Sequence, residues 1–142
     1  MTWRAWGYLW AGPNTVFGLL CALLALHRGG LNVVDGVLEA HGPLLLWALR
    51  HLTPVPGGAA AMTFGHVVIG VSAEALNGVR NHERVHVRQY ERWGPVFVPA
   101  YLAASAWMLV SGRDPYYDNH FERAAYRQDE ARLATVAGCD PR

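Results

Sequence analysis

"NHERVHVRQYERWG", residues 81 to 94, places His82 and His86 four positions apart, with Glu83 directly after the first histidine. On an α-helix, four residues make slightly more than one turn, so the two imidazoles would lie on one face at a separation suited to a single metal ion. Glu83 would lie beside that face, where it can take a proton from a metal-bound water without being a ligand. This His-Glu-x-x-His pattern predicts a zinc-dependent catalytic helix.

The same stretch can also be interpreted as a solvated helix with spaced charges. The charged positions on the helix that includes this stretch are Arg80, Glu83, Arg84, Arg88, Glu91 and Arg92. The chain contains seven histidines, and a match to the motif by chance is expected about once in a hundred such chains. The metal interpretation is therefore favoured if the chain supplies a further ligand.

The motif helix is expected to begin after Ser72, a good N-cap residue, and to end near Gly94. The segment before it, residues 59–72, is rich in β-branched and aromatic residues. It predicts one extended strand, or two strands broken at Gly65. His66 in this segment has no helical partner, so we interpret it as an ordinary strand residue and not as a ligand.

An earlier part of the chain predicts a second pair of strands. Two short alternating runs flank Asp35-Gly36, a dipeptide that favours the type I′ turn of a β-hairpin. The segment PLLLWALRH, residues 43–51, predicts a short helix that begins at Pro43. The expected fold class is therefore α+β, with a small sheet and a long motif helix.

Two apolar stretches, Trp6 to Leu26 and Trp93 to Ser111, contain no charged side chain. Each has about 20 residues, which is the length of a membrane-spanning helix. Four aromatic residues cluster at one end of the first stretch, as they do at the lipid headgroup boundary: Trp3, Trp6, Tyr8 and Trp10. We therefore expect a membrane-associated protein, with a buried core helix as the alternative.

The chain of 142 residues has the length of a single domain. We interpret residues 1–27 as an apolar N-terminal helix and membrane anchor, and residues 28–142 as the catalytic unit. The N-terminal segment is expected to be retained, because no small-residue cleavage pattern follows its apolar run.

A catalytic zinc ion usually takes three protein ligands and leaves one position for water. Downstream of the histidines, Glu122 lies in the helical-looking segment FERAAY, and His120 lies two residues before it. Carboxylate and imidazole are both good zinc ligands. Glu122 is favoured because it lies on the helix-forming side of the segment, and His120 remains the alternative.

With His82, Glu83, His86 and Glu122 in this order, the sequence resembles the gluzincin metallopeptidases. In these enzymes the third zinc ligand is a glutamate on a following helix, commonly within Glu-x-x-Ala-Asp. This chain reads Glu122-Arg123-Ala124-Ala125-Tyr126, so Tyr126 stands where those families often have an acid that supports a ligand histidine.

The stretch from about Ala61 to Tyr126 also resembles small bacterial proteins that share the His-Glu-x-x-His motif and the Phe-Glu-Arg segment. The resemblance implies a minimal zincin-like fold, a bound Zn²⁺ held by His82, His86 and Glu122, and peptidase chemistry. It identifies no substrate.

Other side chains are candidates for supporting roles. His120, Tyr116 and Tyr117 are candidates for stabilising a developing oxyanion. Gln89 and Tyr90 follow one turn after His86 and could support the ligands from behind, although core or cap roles fit them equally well.

The membrane and metal interpretations can be tested against each other. If residues 93–111 crossed a bilayer, the histidines and Glu122 would emerge on opposite faces, roughly 30 Å apart. The linker from Gly112 to Phe121 is long enough to retrace a helix of about 27 Å. We therefore expect the second apolar stretch to be a core helix or a half-inserted helix, followed by a returning loop that turns at Pro115 and Asp118-Asn119.

The composition of the chain limits the classes of binding partner. The net charge of +1 gives no electrostatic case for nucleic-acid binding. Cys21 and Cys139 are far apart in the sequence and imply no disulfide framework. The expected partners are a peptide or protein substrate, which could pair with the edge of the strand around residues 63–70, and a membrane surface on an undefined side.

The expected function is that of a zinc metallohydrolase, most simply a peptidase with Glu83 as general base. The alternative is a non-enzymatic, membrane-associated module whose histidines bind metal for structure or bind nothing. A fourth protein ligand, for example His120, would favour that alternative. A channel or transporter would require both apolar stretches to span the membrane.

Overall fold

The structure is a computed structural model that describes residues 2–53 and 55–136, with side chains from residue 6 onward. Cys139 and the side chain of Trp3 lie outside the described residues. The elements are α1 (Thr2–Trp10), α2 (Gly12–Ala22), a 3₁₀ turn (Leu23–Leu26), β1 (Gly30–Val34), β2 (Val37–His41), α3 (Pro43–His51), β3 (Ala61–Phe64), β4 (Val67–Gly70), α4 (Ala73–Trp93), a second 3₁₀ turn (Gly94–Val96), α5 (Phe97–Val110) and α6 (His120–Val136). The predicted α+β class is confirmed.

The predicted β-hairpin is present between β1 and β2. The two strands are antiparallel, with Val34 opposite Val37, so only two residues form the loop. Asp35 and Gly36 both have positive φ angles, 50° and 79°, which is the backbone conformation of a type I′ turn. The dipeptide therefore set both the turn type and the strand register.

The sheet is mixed and has the order β1-β2-β4-β3. The segment predicted as one strand or two forms two, β3 and β4, which pair antiparallel across a turn at Gly65, where φ is +60°. A Cβ atom at Gly65 would lie 2.2 Å from Thr15 Oγ1, so glycine also allows α2 to approach the turn. β2 and β4 are parallel because β3, which is antiparallel to β4, carries the chain back to the end of the sheet where β4 begins.

The two faces of the sheet are covered by different helices, as the alternation of side chains requires. Val67 and Ile69 of β4 pack with Ala22 and Leu45, on the side of α2 and α3. Val68 points the other way and packs with Leu76 and Val87 of α4. The motif helix therefore lies directly on one face of the sheet.

The boundaries of α4 agree with the sequence signals. Ser72 Oγ accepts a hydrogen bond from the backbone N–H of Ala75, as an N-cap residue does. Gly94 ends the helix with φ +54°. A side chain there would also clash with Trp10, whose indole lies 2.4 Å from the position of a Cβ atom.

The N-terminal apolar segment is not the single helix that was predicted. It forms α1, α2 and a 3₁₀ turn, and Pro13 lies in the first turn of α2, because proline fits the start of a helix and not its interior. Ala11 at the junction is fully buried beside Tyr90 and Phe97. The segment nevertheless leaves many large apolar side chains exposed, including Phe17 and Leu20.

Helix α5 is not the core helix that was one of the two alternatives. Phe97 is its only buried residue, whereas Trp107 and Leu109 are 66% and 64% exposed. Among the described residues, one helical segment, Ala73–Val110, is long and apolar enough to cross a membrane by length and composition alone. The half-inserted alternative remains a prediction.

The loop after α5 brings the chain back along that helix, as predicted. Asp114 Oδ1 accepts hydrogen bonds from the backbone N–H groups of Tyr116 and Tyr117, which tightens the turn. Asn119 is fully buried at the end of the loop. Its side-chain amide donates to the Tyr101 carbonyl and to Ser105 Oγ, so the loop end is fastened to the first half of α5.

Asn119 also accepts a hydrogen bond from the backbone N–H of Phe121 at the start of α6. We expect Asn119→Ala to lower the free energy of unfolding by about 2 to 3 kcal/mol, because it removes this cap and leaves buried groups unpaired. Asn119→Asp keeps the accepting oxygen and loses the two donated bonds. Denaturant unfolding of both variants would separate the two contributions, and equal stability of wild type and Asn119→Ala would contradict this assignment.

Candidate metal centre

Three buried side chains from two helices meet at one point. His82 and His86 come from α4, and Glu122 comes from the first turn of α6. His82 Nε2 lies 3.2 Å from His86 Nε2 and 3.2 Å from Glu122 Oε2, and His86 Nε2 lies 3.5 Å from the same oxygen. The three atoms form a nearly equilateral triangle, and this group could hold a metal ion.

His86 is fixed in orientation by the side chain of Gln89. The Gln89 amide nitrogen donates to the Phe121 carbonyl at 3.0 Å, so its oxygen is left to accept from His86 Nδ1 at 2.9 Å. This arrangement places the Nδ1 proton away from the triangle and turns Nε2 towards it. Of the two roles that the sequence left open for Gln89, it therefore supports the histidine.

A carboxylate that no sequence pattern marks lies beside His82. Asp129 Oδ2 lies 3.3 Å from His82 Nδ1, on the side away from the triangle. Tyr126, which stands at the position where an acid was expected by resemblance, lies against the His82 ring with 4.7 Å between ring centroids. Asp129 is three residues further along α6, on the same face, and supplies the missing carboxylate.

Glu122 is held by both histidines and by Tyr101 of α5, whose hydroxyl donates to Glu122 Oε1 at 2.7 Å. Only 3% of Glu122 is exposed. Burial disfavours its carboxylate form, but the hydrogen bonds from His82, His86 and Tyr101 outweigh that cost and lower the pKa of Glu122 to about 2. The carboxylate is therefore charged and available as a ligand at neutral pH.

His86 carries the balancing positive charge when no metal is bound. Burial disfavours its imidazolium form, yet the hydrogen bond to Glu122 and the charges of Glu83 and Glu122 raise the pKa of His86 to about 9. A metal ion that enters the triangle must therefore displace a proton from this imidazole.

Glu83 is buried beside the triangle and is not part of it. Thr63 of β3 donates a hydrogen bond to Glu83 Oε2 at 2.6 Å, which anchors one carboxylate oxygen. Among the described residues, the other carboxylate oxygen has no hydrogen-bond partner. Glu83 lines the same cavity as His86 and Glu122, and its role as a general base stays a prediction.

A cavity of about 470 Å³ opens beside these residues. Glu83, His86 and Glu122 lie on one wall, β3 forms a second wall, and α5 forms a third. Most of the surface is apolar and includes Met62, Phe64, Val98, Leu102 and Leu109. The cavity has the size of a small-ligand pocket and a polar group at one side.

Of the three residues that were predicted to stabilise an oxyanion, Tyr116 lines the cavity, whereas Tyr117 and His120 do not. Burial together with the charge of Glu122 raises the pKa of Tyr116 well above its usual value, so its hydroxyl stays protonated. Tyr117 is exposed and packs between Tyr116 and Tyr126. His120 is exposed at the start of α6 and is outside the metal-capable group.

His66 and Tyr90 are not part of the metal-capable group either. His66 lies in the turn after β3, not within a strand, and its Nε2 is 3.0 Å from Glu91 Oε1. Tyr90 has a core role, since it packs edge-on against Phe97 and also lines the cavity.

No protein-family model, curated protein or solved structure matches this chain. The functional interpretation therefore depends on the geometry of the site and on the resemblance of its motif.

Asp129→Asn should weaken Zn²⁺ binding about 10- to 100-fold, because the carboxylate that orients His82 and increases its basicity is lost. Glu130→Gln is the matched control, since it removes one exposed carboxylate from the next position of the same helix. Competition titration with a zinc-binding dye would measure both affinities. If both variants bind Zn²⁺ equally well, Asp129 does not support the site.

The unfolding free energy should depend on pH with opposite sign in the metal-free and Zn²⁺-loaded protein. In the metal-free protein the folded pKa of His86, about 9, exceeds its unfolded value of about 6.5, so stability should fall by up to about 3 kcal/mol as pH rises from 6.5 to 9. In the loaded protein both imidazoles are deprotonated, so stability should rise with pH up to about 7.

Urea unfolding between pH 6 and 9, with chelator or with stoichiometric Zn²⁺, would measure both slopes. A metal-free protein whose stability does not change between pH 7 and 9 would contradict the assigned His86–Glu122 pair.

Proposed function

We propose that the protein is a zinc-dependent hydrolase, of the peptidase type, that acts at a membrane surface. The observation that carries this proposal is the triangle formed by His82, His86 and Glu122, with Glu83 beside it and an apolar cavity in front of it. No other part of the described chain combines metal-capable ligands with a candidate general base.

The spacing and chemistry of the donor atoms support Zn²⁺. Two ligand atoms at zinc bond lengths of about 2.0 to 2.1 Å and tetrahedral angles lie about 3.3 Å apart, and the three separations here are 3.2, 3.2 and 3.5 Å. Two imidazoles and one carboxylate are also a usual ligand set for catalytic zinc.

The number of ligands supports a catalytic role over a structural one. Within residues 2–53 and 55–136, the metal-capable group has three members, and neither His120 nor Asp129 belongs to it. Structural zinc sites are usually closed by four protein ligands, whereas catalytic sites keep a position for water or substrate.

Bound at this triangle, Zn²⁺ would lower the pKa of a water molecule and polarise a carbonyl group. Glu83 takes the proton from the attacking water and returns it to the leaving amine. Thr63 holds one Glu83 oxygen in place, so that the other is presented at a fixed angle. Tyr116, whose hydroxyl stays protonated, is a better candidate oxyanion donor than the exposed His120 or Tyr117.

The walls of the cavity suggest how a peptide would bind. β3 is the last strand of the sheet order, so an extended peptide could pair with its outer edge. The apolar surface around Met62 and Leu102 would accept an apolar side chain next to the cleaved bond.

The exposed apolar side of α5 suggests where the protein meets its substrate. Leu102 and Leu109 line the cavity and are also exposed, so the cavity opens next to this apolar helix. α5 is about 21 Å long, shorter than the hydrocarbon core of about 30 Å. A helix of this kind can lie partly inserted in a membrane surface and present the cavity to it.

Glu83→Gln should keep Zn²⁺ and lose hydrolysis by at least about 100-fold, because the general base is removed without touching a ligand. His86→Ala should lose both metal and activity. Glu74→Gln, an exposed change at the start of the same helix, should leave both unchanged. Metal content would be measured on purified protein, and cleavage by mass spectrometry of a mixed peptide library.

Full activity in Zn²⁺-loaded Glu83→Gln would refute the role of Glu83. A wild-type protein that binds one Zn²⁺ with four protein ligands, as seen by X-ray absorption spectroscopy, and cleaves no peptide would favour a structural metal module.

A further inference from the structure

We infer that the protein has a second site, which binds a phosphate-type oxyanion on the side of α4 opposite the metal triangle. Arg84 follows two residues after His82 and precedes His86 by two, so it points about 200° around the helix from each. A cavity of about 970 Å³ lies on that side, between α1, the β1–β2 turn, His66 and α4. The site is separate from the proposed catalytic centre and does not depend on it.

Three arginines one helical turn apart line this cavity: Arg84, Arg88 and Arg92. Positions i, i+4 and i+8 form a stripe along one side of a helix. Guanidinium groups bind phosphate oxygens in a bidentate manner and keep their charge at all physiological pH values. Such a stripe beside a cavity is therefore suited to an oxyanion.

Arg84 is the deepest of the three, with 15% of its side chain exposed. One nitrogen, Nη2, donates to the Val34 carbonyl and lies 3.6 Å from Glu39 Oε1. Glu39, however, is already held by two 2.7 Å bonds from Arg80. The other terminal nitrogen, Nη1, is buried without a hydrogen-bond partner among the described residues. Buried charged donors are rarely left unpaired.

The other two arginines are exposed and also lack a carboxylate of their own. Arg88 donates to the neutral side-chain amide of Gln128, and Arg92 forms no ion pair within the described part of the chain. Glu91 lies between them in sequence, but its carboxylate binds His66. Asp35 also lines the cavity and forms no ion pair within the described part of the chain. Three guanidinium groups therefore face two carboxylates, Asp35 and Glu91, and the cavity wall keeps a net positive charge for a ligand.

The opposite wall of the cavity is aromatic and held in place. Tyr8 stacks on His66 with 3.9 Å between ring centroids, and its hydroxyl donates to the Gly36 carbonyl. Trp6 and Trp10 of α1 also line the cavity and are exposed. Indole rings beside basic side chains are typical of the lipid headgroup boundary, so the oxyanion is either a lipid phosphate or a free phosphate.

The test compares two double variants that remove the same charge. Arg88→Gln/Arg92→Gln changes the exposed part of the stripe, and Arg127→Gln/Arg132→Gln removes two exposed arginines of α6. Calorimetry would measure binding of inorganic phosphate to each full-length protein. Flotation would measure binding to phosphatidylcholine vesicles with and without phosphatidylglycerol. Circular dichroism would verify that all proteins are folded.

We expect the stripe variant to bind the oxyanion at least about tenfold more weakly than wild type, and the α6 variant to remain within about twofold. Loss of inorganic phosphate binding would identify a free oxyanion as the ligand. Loss confined to the extra affinity for phosphatidylglycerol would identify a lipid headgroup. Equal binding by the two variants in both assays, or a wild type with no affinity for phosphate and no preference for phosphatidylglycerol, would overturn the proposal.

Discussion

The contact between Glu122 and the two motif histidines is the constraint on which the rest of the structure depends. A carboxylate that is 97% buried is unfavourable unless positive charge or hydrogen bonds compensate it. His82, His86 and Tyr101 supply this compensation. Since Glu122 comes from a helix far along the chain, everything between α4 and α6 must allow the two helices to meet.

The chain leaves α4 through α5, and the loop after α5 returns beside that helix. This return lets α6 reach α4. Gly94 breaks the helix with a positive φ angle, and Asn119 fastens the end of the returning loop to the first half of α5. Helix α5 has one buried residue, because its outer side faces no other element of the described chain. An exposed apolar helix is typical of an interaction surface. The proposed contact with a membrane surface would cover it.

Local signals in the sequence were sufficient for the β1–β2 hairpin and for the ends of α4, since Asp35-Gly36 and Ser72 act within a few residues of themselves. The parallel pairing of β2 with β4 was not predicted, because it depends on tertiary packing. The grouping of His82, His86 and Glu122 could be predicted, because helical spacing and one distant carboxylate define it. Thr63 and Tyr101 were not, because neither carries a pattern and each meets the site only through tertiary packing. The break in the N-terminal segment follows from Pro13, which lies at the start of α2.

The surroundings of His82 show how a helix can bring a carboxylate to one side chain from more than one position. A helix presents residues three or four apart on the same face, so an acid can move by one turn and still reach the same imidazole. Here Tyr126 takes the expected position and packs on the His82 ring, while Asp129 reaches its Nδ1 atom. The helix face, and not a single residue position, therefore determines which carboxylate can lie behind a histidine.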